Sequence, residues 1–256
     1  MKKIALFLAV AISIVVVSCK SDDDTTTTPQ NVNVAFTFTQ NWDGNNITNA
    51  DYETTVYTNA HGTDQTISKL DYLISDITFT NSTGQSFSAE DYNLISARNG
   101  TNVNFTPDVQ IPTGDYVVSF TFGFDEEDNV DAAYPDLTSA TWGVPTPLGG
   151  GYHYMRLEGK FDDGTPTPAN YAYHTIRAFN TATSTPFDTS FEVTIGSVTV
   201  SENTNVEVKM DVSEWFINPN EWDLNVLNSA LMMNYNAQLM MSQNGTTVFS
   251  LGAVTQ

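Results

Sequence analysis

The sequence predicts an all-β protein, an antiparallel β-sandwich or Greek-key barrel with a short C-terminal helix. Three observations carry this expectation. Apolar and polar residues alternate with a period of two in stretch after stretch. A single segment, near the C-terminus, changes to helical spacing. After an N-terminal leader, about 225 residues run without a second low-complexity stretch, a length that one all-β domain can fill.

The strands read in order. Val32, Val34, Phe36 and Phe38 share one face of "VNVAFTFTQ", and Tyr116, Val118, Phe120, Phe122 and Phe124 share one face of "DYVVSFTFGF". "KLDYLISDITF" also fits a strand, but its apolar phase slips between Ile74 and Ile77, as a β-bulge would require. "FEVTIGSVTV" and "VEVKMDV", joined by the turn-like "SENTN", read as a late hairpin. From Asn225 to Ser242, Leu227, Leu231, Tyr235 and Leu239 recur at helical spacing, and Asn244-Gly245 follows as a stop signal. Met232, Met233, Met240 and Met241 in this segment read as core filler rather than soft metal ligands.

Ahead of the domain stands an export signal, residues 1–18. Lys2 and Lys3 form a positive start, Ile4 through Val17 an apolar run of 14 residues, and Ser18 a small residue before the cut. That run is shorter than the ~20 residues a membrane-spanning helix needs. The chain's one cysteine, Cys19, follows in "VVSC", which resembles a bacterial lipobox, whose cysteine becomes the lipidated first residue of the mature protein. Several acyl chains at about 0.8 kcal/mol per buried methylene hold a protein on a membrane where a single chain binds marginally. The following "KSDDD" resembles the surface-export signal of Bacteroidetes-type lipoproteins. The expected location is therefore the outer membrane, facing outward. Residues 19–31, polar and Thr-rich, read as the lipidated cysteine and a flexible tether, and residues 32–256 as the domain.

Composition narrows the chemistry. With Cys19 acylated no thiol remains, which excludes disulfides, thiolate nucleophiles, Fe–S clusters and cysteine-ligated zinc. Loss of Lys2 and Lys3 takes the net charge from −21 to −23, a field that repels nucleic acid and favours cations. G-x-S-x-G, H-E-x-x-H and G-x-x-x-x-G-K-[ST] do not occur, so hydrolase and nucleotide-binding readings lack support.

Two clusters carry oxygen or nitrogen ligands. In "GFDEEDNVDAAYPD", Asp125, Glu127, Asn129, Asp131 and Asp136 echo the oxygen spacing of an EF-hand loop and suggest calcium, although Val130 stands where that loop needs glycine. The plain alternative is a solvated acidic loop. In residues 140–179, His153 is expected to share a strand face with Met155 and Leu157, and His174 one with Ala172 and Ile176. Core histidines with satisfied hydrogen bonds would look the same, but two on adjacent strands suit copper or another imidazole-loving metal. Their meeting depends on register. A two-residue turn at Asp163-Gly164 sets His153 opposite His174, about 5 Å apart at Cβ. A longer loop, favoured because Pro166 and Pro168 would each remove a ladder donor, leaves them roughly 16 Å apart. Trp142 or His61 would then be the partner of His174.

The chain here resembles the MbnP-like copper-binding proteins. The resemblance rests on "FTFGFDEEDNVDAAYPDL", then Trp142, "GGGYHYMRLEGKF" and "YAYHTIRA", in that order, with weaker similarity in "TISKLDYLISDITF" and "LMMNYNAQLMMSQNGTTVFS". It implies an all-β secreted or surface protein whose characterised members hold Cu(I) with two histidines and an oxidised tryptophan, kynurenine. Matched motif by motif, His174 corresponds to a family histidine and Trp142 to the tryptophan before the "GY" strand, while His153 is placed less securely. The N-H-x-D of many members is Asn129-Val130-Asp131 here, and no W-x-H pair surrounds Trp142.

Two functions follow. The leading one is a surface lipoprotein, not an enzyme, that captures or stores copper. Its rival is a metal-free adhesion module that displays Trp42, Trp142, Trp215 or Trp222 to a glycan or protein.

Overall fold

Alternation produces strands wherever it is sustained. In the computed structural model, which describes residues 28–256, nine strands have seven or more residues: β1 (Ala35–Trp42), β2 (Asp64–Asn81), β3 (Ser86–Ser96), β4 (Gly114–Phe122), β5 (Met155–Phe161), β6 (Ala169–Thr175), β7 (Phe191–Val200), β8 (Asn205–Asp211) and β9 (Phe249–Thr255). Two short helices accompany them, α1 (Pro135–Ser139) and α2 (Tyr235–Gly245). The export signal, Cys19 and the tether up to residue 27 lie outside the described residues. Pairing begins just before the expected domain start, where Asn31 and Val32 bridge Pro112 and Ile111.

One open sheet runs β6–β5–β2–β4–β7, with β3 along the other edge of β2. The second holds β9, β8 and β1 in that order. The two face each other across a core of aromatic contacts: Phe36 meets Phe79 at 6.0 Å between ring centroids, Tyr72 meets Phe249 at 6.1 Å, and Phe120 meets Phe249 at 5.2 Å. The fold is thus a sandwich rather than a closed barrel.

Strand β2 is long enough to serve two partners on one side. Its first half pairs with β5, from Gln65↔Phe161 to Tyr72↔Met155, and its second half pairs with β4, from Ile74↔Phe122 onward. The bulge expected between Ile74 and Ile77 is there: the registers of β2 with β3 and with β4 both shift before Thr78, and Asp76 takes the left-handed backbone at φ +54. Between the two junctions the chain makes an excursion, residues 123–154. It closes over a second, smaller core of Leu73, Phe124, Leu137, Trp142 and Tyr152.

Two expectations fail for physical reasons. The late hairpin does not form: β7 pairs with β4, whereas β8 crosses to the other sheet and runs parallel to β1. Alternation of the type Val206, Val208, Met210 is the same whether the next strand lies beside its predecessor or across the sandwich from it, because both place every second side chain in the core. The C-terminal helix starts ten residues later than its apolar spacing suggests. Ala230 is left-handed at φ +55, and Asn234 caps the helix, its Oδ1 accepting from the Ala237 N–H at 3.1 Å. Met241 is buried in the core as filler, but Met233 is mostly exposed.

The β5 ladder depends on one close approach. At Gly159, where the register with β2 shifts, an added Cβ would land on the Thr66 carbonyl oxygen. Gly159→Ala should therefore cost about 2–3 kcal/mol in urea denaturation, the scale of an overpacked core. Gly164→Ala, at φ +80 in open space, should cost only about 1 kcal/mol of backbone strain. Equal losses in the two variants would contradict the close approach.

Candidate metal centre

The hairpin takes the longer loop. β5 and β6 pair as Met155↔Thr175, Arg156↔His174 and so on to Phe161↔Ala169. Pro166 and Pro168 stand in the connection, outside the ladder, and Asp163 Oδ1 accepts from the Thr165 N–H and hydroxyl there. This register was expected to separate the histidines. It does not: the rings of His153 and His174 lie 5.5 Å apart, centroid to centroid, edge to face.

The cause is a break in alternation. Tyr154 and Met155 are consecutive, and both point into the main core. Continuing outward from Met155, a regular strand would put His153 on the core face beside it. The doubled inward position inverts the parity, so His153 joins the face that carries Arg156. Backbone bonds hold the break. Tyr154 N–H donates to the Thr175 carbonyl at 2.8 Å and its carbonyl accepts from Leu73 N–H at 2.8 Å. One residue earlier the chain has changed partners, and His153 N–H donates to the Trp142 carbonyl at 3.0 Å.

That carbonyl also receives the imidazole. His153 Nδ1 lies 2.8 Å from it, which assigns the proton to Nδ1 and leaves Nε2 with a lone pair. His174 is held the opposite way: its Nε2 lies 2.9 Å from Glu158 Oε1, so Nε2–H donates to the carboxylate and Nδ1 is the nitrogen left for a metal. The Trp142 ring is 5.7 Å from that of His153, and its buried Nε1–H has no acceptor. Trp142 and His153 are only 2% and 4% exposed, whereas the His174 side chain is 17% exposed and forms the mouth of the site.

Charges frame these rings. Arg156 lays its guanidinium carbon 4.6 Å from the Trp142 ring centre. Its Nη2 donates to the Thr141 carbonyl at 2.5 Å and lies 3.2 Å from His153 Nδ1. Burial first, and Arg156 second, push the His153 pKa down to about 3. Its imidazole is therefore neutral, the form a metal needs. The hydrogen bond from His174 holds the Glu158 carboxyl below its usual range against a smaller opposing effect of burial.

The sequence model of the family described as MbnP matches residues 31–236. The chain belongs to the MbnP family. Its fold is similar to that of MbnP from Methylosinus trichosporium, with 13% identity and a TM-score of 0.51, covering 88% of this chain and 99% of that one. No curated protein matches the chain significantly.

Within this member of the MbnP family, the other expected ligands go elsewhere. Met155 is fully buried in the main core, on the face of β5 opposite His174. His61 is held at the surface by Glu221, at 2.8 Å, and Asp223, at 3.5 Å. The EF-hand-like set does not converge. Asn129 is buried and uses its amide on the Tyr154 hydroxyl and the Tyr152 N–H, Asp131 accepts from Gly151 N–H, and Asp136 accepts from the Tyr92 hydroxyl. Asp125 Oδ1 takes the Glu127 and Asp128 N–H groups. Among the described residues the only group of three His, Cys, Asp or Glu ligand atoms within 4.8 Å of one another is Asp76, Asp125 and Asp128. Burial raises the Asp76 pKa there, and the other two carboxylates add to the shift. Among the described residues, then, no third His, Cys, Asp or Glu joins the histidine pair in such a group.

Sequence reasoning missed Arg156 and Glu158. Both sit at alternate positions of "HYMRLEGKF", but only the Arg156↔His174 register shows that they share a face with His174.

The buried imidazole makes a pH prediction. Its folded-state pKa lies below the unfolded value of about 6.5, so the unfolded chain binds the extra proton and stability falls as pH drops from 6.5 toward 3. In metal-free buffer, the stability lost between pH 7 and pH 5 should be smaller in His153→Gln than in the wild type, by up to about 2 kcal/mol. Urea titrations at the two pH values check this, and parallel losses would contradict it.

Proposed function

We propose that the chain binds copper as Cu(I) between His153 and His174, for capture or storage without turnover. The observation that carries this reading is the pair of imidazoles 5.5 Å apart, each with one nitrogen bonded to a protein acceptor and the other left with its lone pair. Outer hydrogen bonds to a carbonyl or carboxylate are how metal-binding histidines are oriented. Two neutral nitrogens with no carboxylate or thiolate suit a soft monovalent ion better than zinc, which takes four ligands in closed sites. Membership of the MbnP family supports a copper-related role. The family resemblance further implies that Trp142 joins the site as kynurenine, and the unpartnered Nε1 beside His153 leaves that ring free to change.

The adhesion reading loses its means of display. Trp42, Trp142, Trp215 and Trp222 are all buried, the least so at 6% exposed.

In the same reading, Cys19 carries the lipid that holds the domain on the outer surface. Cys19→Ala should move the protein from the membrane fraction to the soluble one. A variant that still sediments with membranes, with a wild type bearing no acyl mass, would contradict the anchor.

Chelator-competition titrations with Cu(I) test the site. His174→Ala and His153→Ala should each weaken binding by about 100-fold or more, beyond the 10–100-fold typical of an outer partner. Wild-type affinity in both variants would overturn the proposal.

A further inference from the structure

We propose that Arg156 sets the charge selectivity of the histidine pair, favouring a monovalent over a divalent ion. This rests on the metal-binding reading above and goes beyond it, because it assigns discrimination to a residue that is not a ligand. Arg156 is fixed on two sides, by the Trp142 ring under its guanidinium and by the Thr141 carbonyl that accepts from Nη2, and this holds Nη2 3.2 Å from His153 Nδ1. Its Nε is buried without an acceptor. A guanidinium does not give up its proton in proteins, so the positive charge stays.

The negative charge nearest the pair, Glu158, stands on the His174 side, where it accepts from Nε2, and Lys69 lies beside it, so it offsets Arg156 only in part. Across the sheet, Arg156 lies between His174 and Asp71, and Glu158 lies between Ala172 and Lys69. Lys69 reaches toward both carboxylates, at 3.8 Å from Asp71 and 3.9 Å from Glu158. Among the described residues no carboxylate forms an ion pair with Arg156, so the charge nearest His153 is positive. Repulsion from a fixed charge grows in proportion to the charge of the ion. For a separation of roughly 6 Å and an effective dielectric of 20, Arg156 alone would disfavour each unit of ion charge by about 100-fold, and the partial offset from Glu158 with screening at the open mouth brings this nearer tenfold. The chain as a whole carries −21 and draws divalent cations to its surface. Arg156 opposes that pull at the one place where the imidazoles wait.

The test compares Cu(I) and Zn(II) by competition titration in the wild type, Arg156→Gln and Arg156→Lys. Arg156→Gln should tighten Zn(II) binding by about tenfold more than it tightens Cu(I), while Arg156→Lys keeps the wild-type ratio of the two affinities. An unchanged ratio in Arg156→Gln, or a ratio shifted as far by Arg156→Lys as by Arg156→Gln, overturns the proposal. Should Arg156→Gln lose the fold on melting, the ratio in Arg156→Met, whose apolar stem still covers Trp142, decides in its place. A wild type that binds no Cu(I), and is indifferent to His174→Ala, overturns the metal reading itself and this proposal with it. That outcome is distinct, because Cu(I) binding with an unshifted ratio removes only the role of Arg156.

Discussion

The Trp142 carbonyl is the constraint on which the site depends. It accepts from the His153 backbone and from the His153 ring, and so ties the middle of the 123–154 excursion to its end, just before β5. Without these two hydrogen bonds, and those of Tyr154 to Thr175 and Leu73, nothing would hold residue 153 out of the regular strand. The chain would continue the alternation of β5, and the imidazole would enter the core beside Met155. Because the carbonyl is held in turn by Trp142 N–H donating to Leu137 at 2.9 Å, the small core of Leu137, Trp142 and Tyr152 determines where one imidazole stands. The ladder of β5 with β6 places the other.

The electrostatic character of the site differs from that of the whole molecule. Thirty acidic residues against nine basic ones make a surface that gathers hard cations, and Asp76, Asp125 and Asp128 bring three carboxylates together at the bulge of β2. Hard cations prefer such oxygen sets. The histidine site instead offers neutral nitrogens under a guanidinium and next to an indole, with its one nearby carboxylate committed to His174. Soft ligands and the burial of His153 and Trp142 act in the same direction there, against hard divalent ions.

Much of this was legible in the sequence, and the failures share a cause. Period-two alternation located the strands, and the phase slip before Ile77 located the bulge, because both are local consequences of side-chain geometry. Partnership between strands is not local. "SENTN" looks like a hairpin whether the chain turns back beside itself or crosses the sandwich, and the apolar spacing from Asn225 does not reveal that Asn234 begins the helix. The histidines show the same limit more sharply. The prolines pointed to the longer loop, which is the one observed, but the distance drawn from it assumed an unbroken strand through His153. Two adjacent inward residues, Tyr154 and Met155, undid that assumption, and both are apolar enough that no pattern marks the break. The acidic loop is rearranged for a related reason: Asn129, Asp131 and Asp136 each have a backbone or tyrosine partner, and of the expected set only Asp125 joins a carboxylate cluster, with Asp76 and Asp128.

The central claim is that one ion lies between His153 Nε2 and His174 Nδ1. Anomalous diffraction at the copper edge, from crystals loaded with Cu(I) under anaerobic conditions, tests it most directly. The account predicts a single strong peak between the two rings, at the face bounded by Trp142. A peak at His61 or among Asp76, Asp125 and Asp128, with none between the histidines, would contradict it.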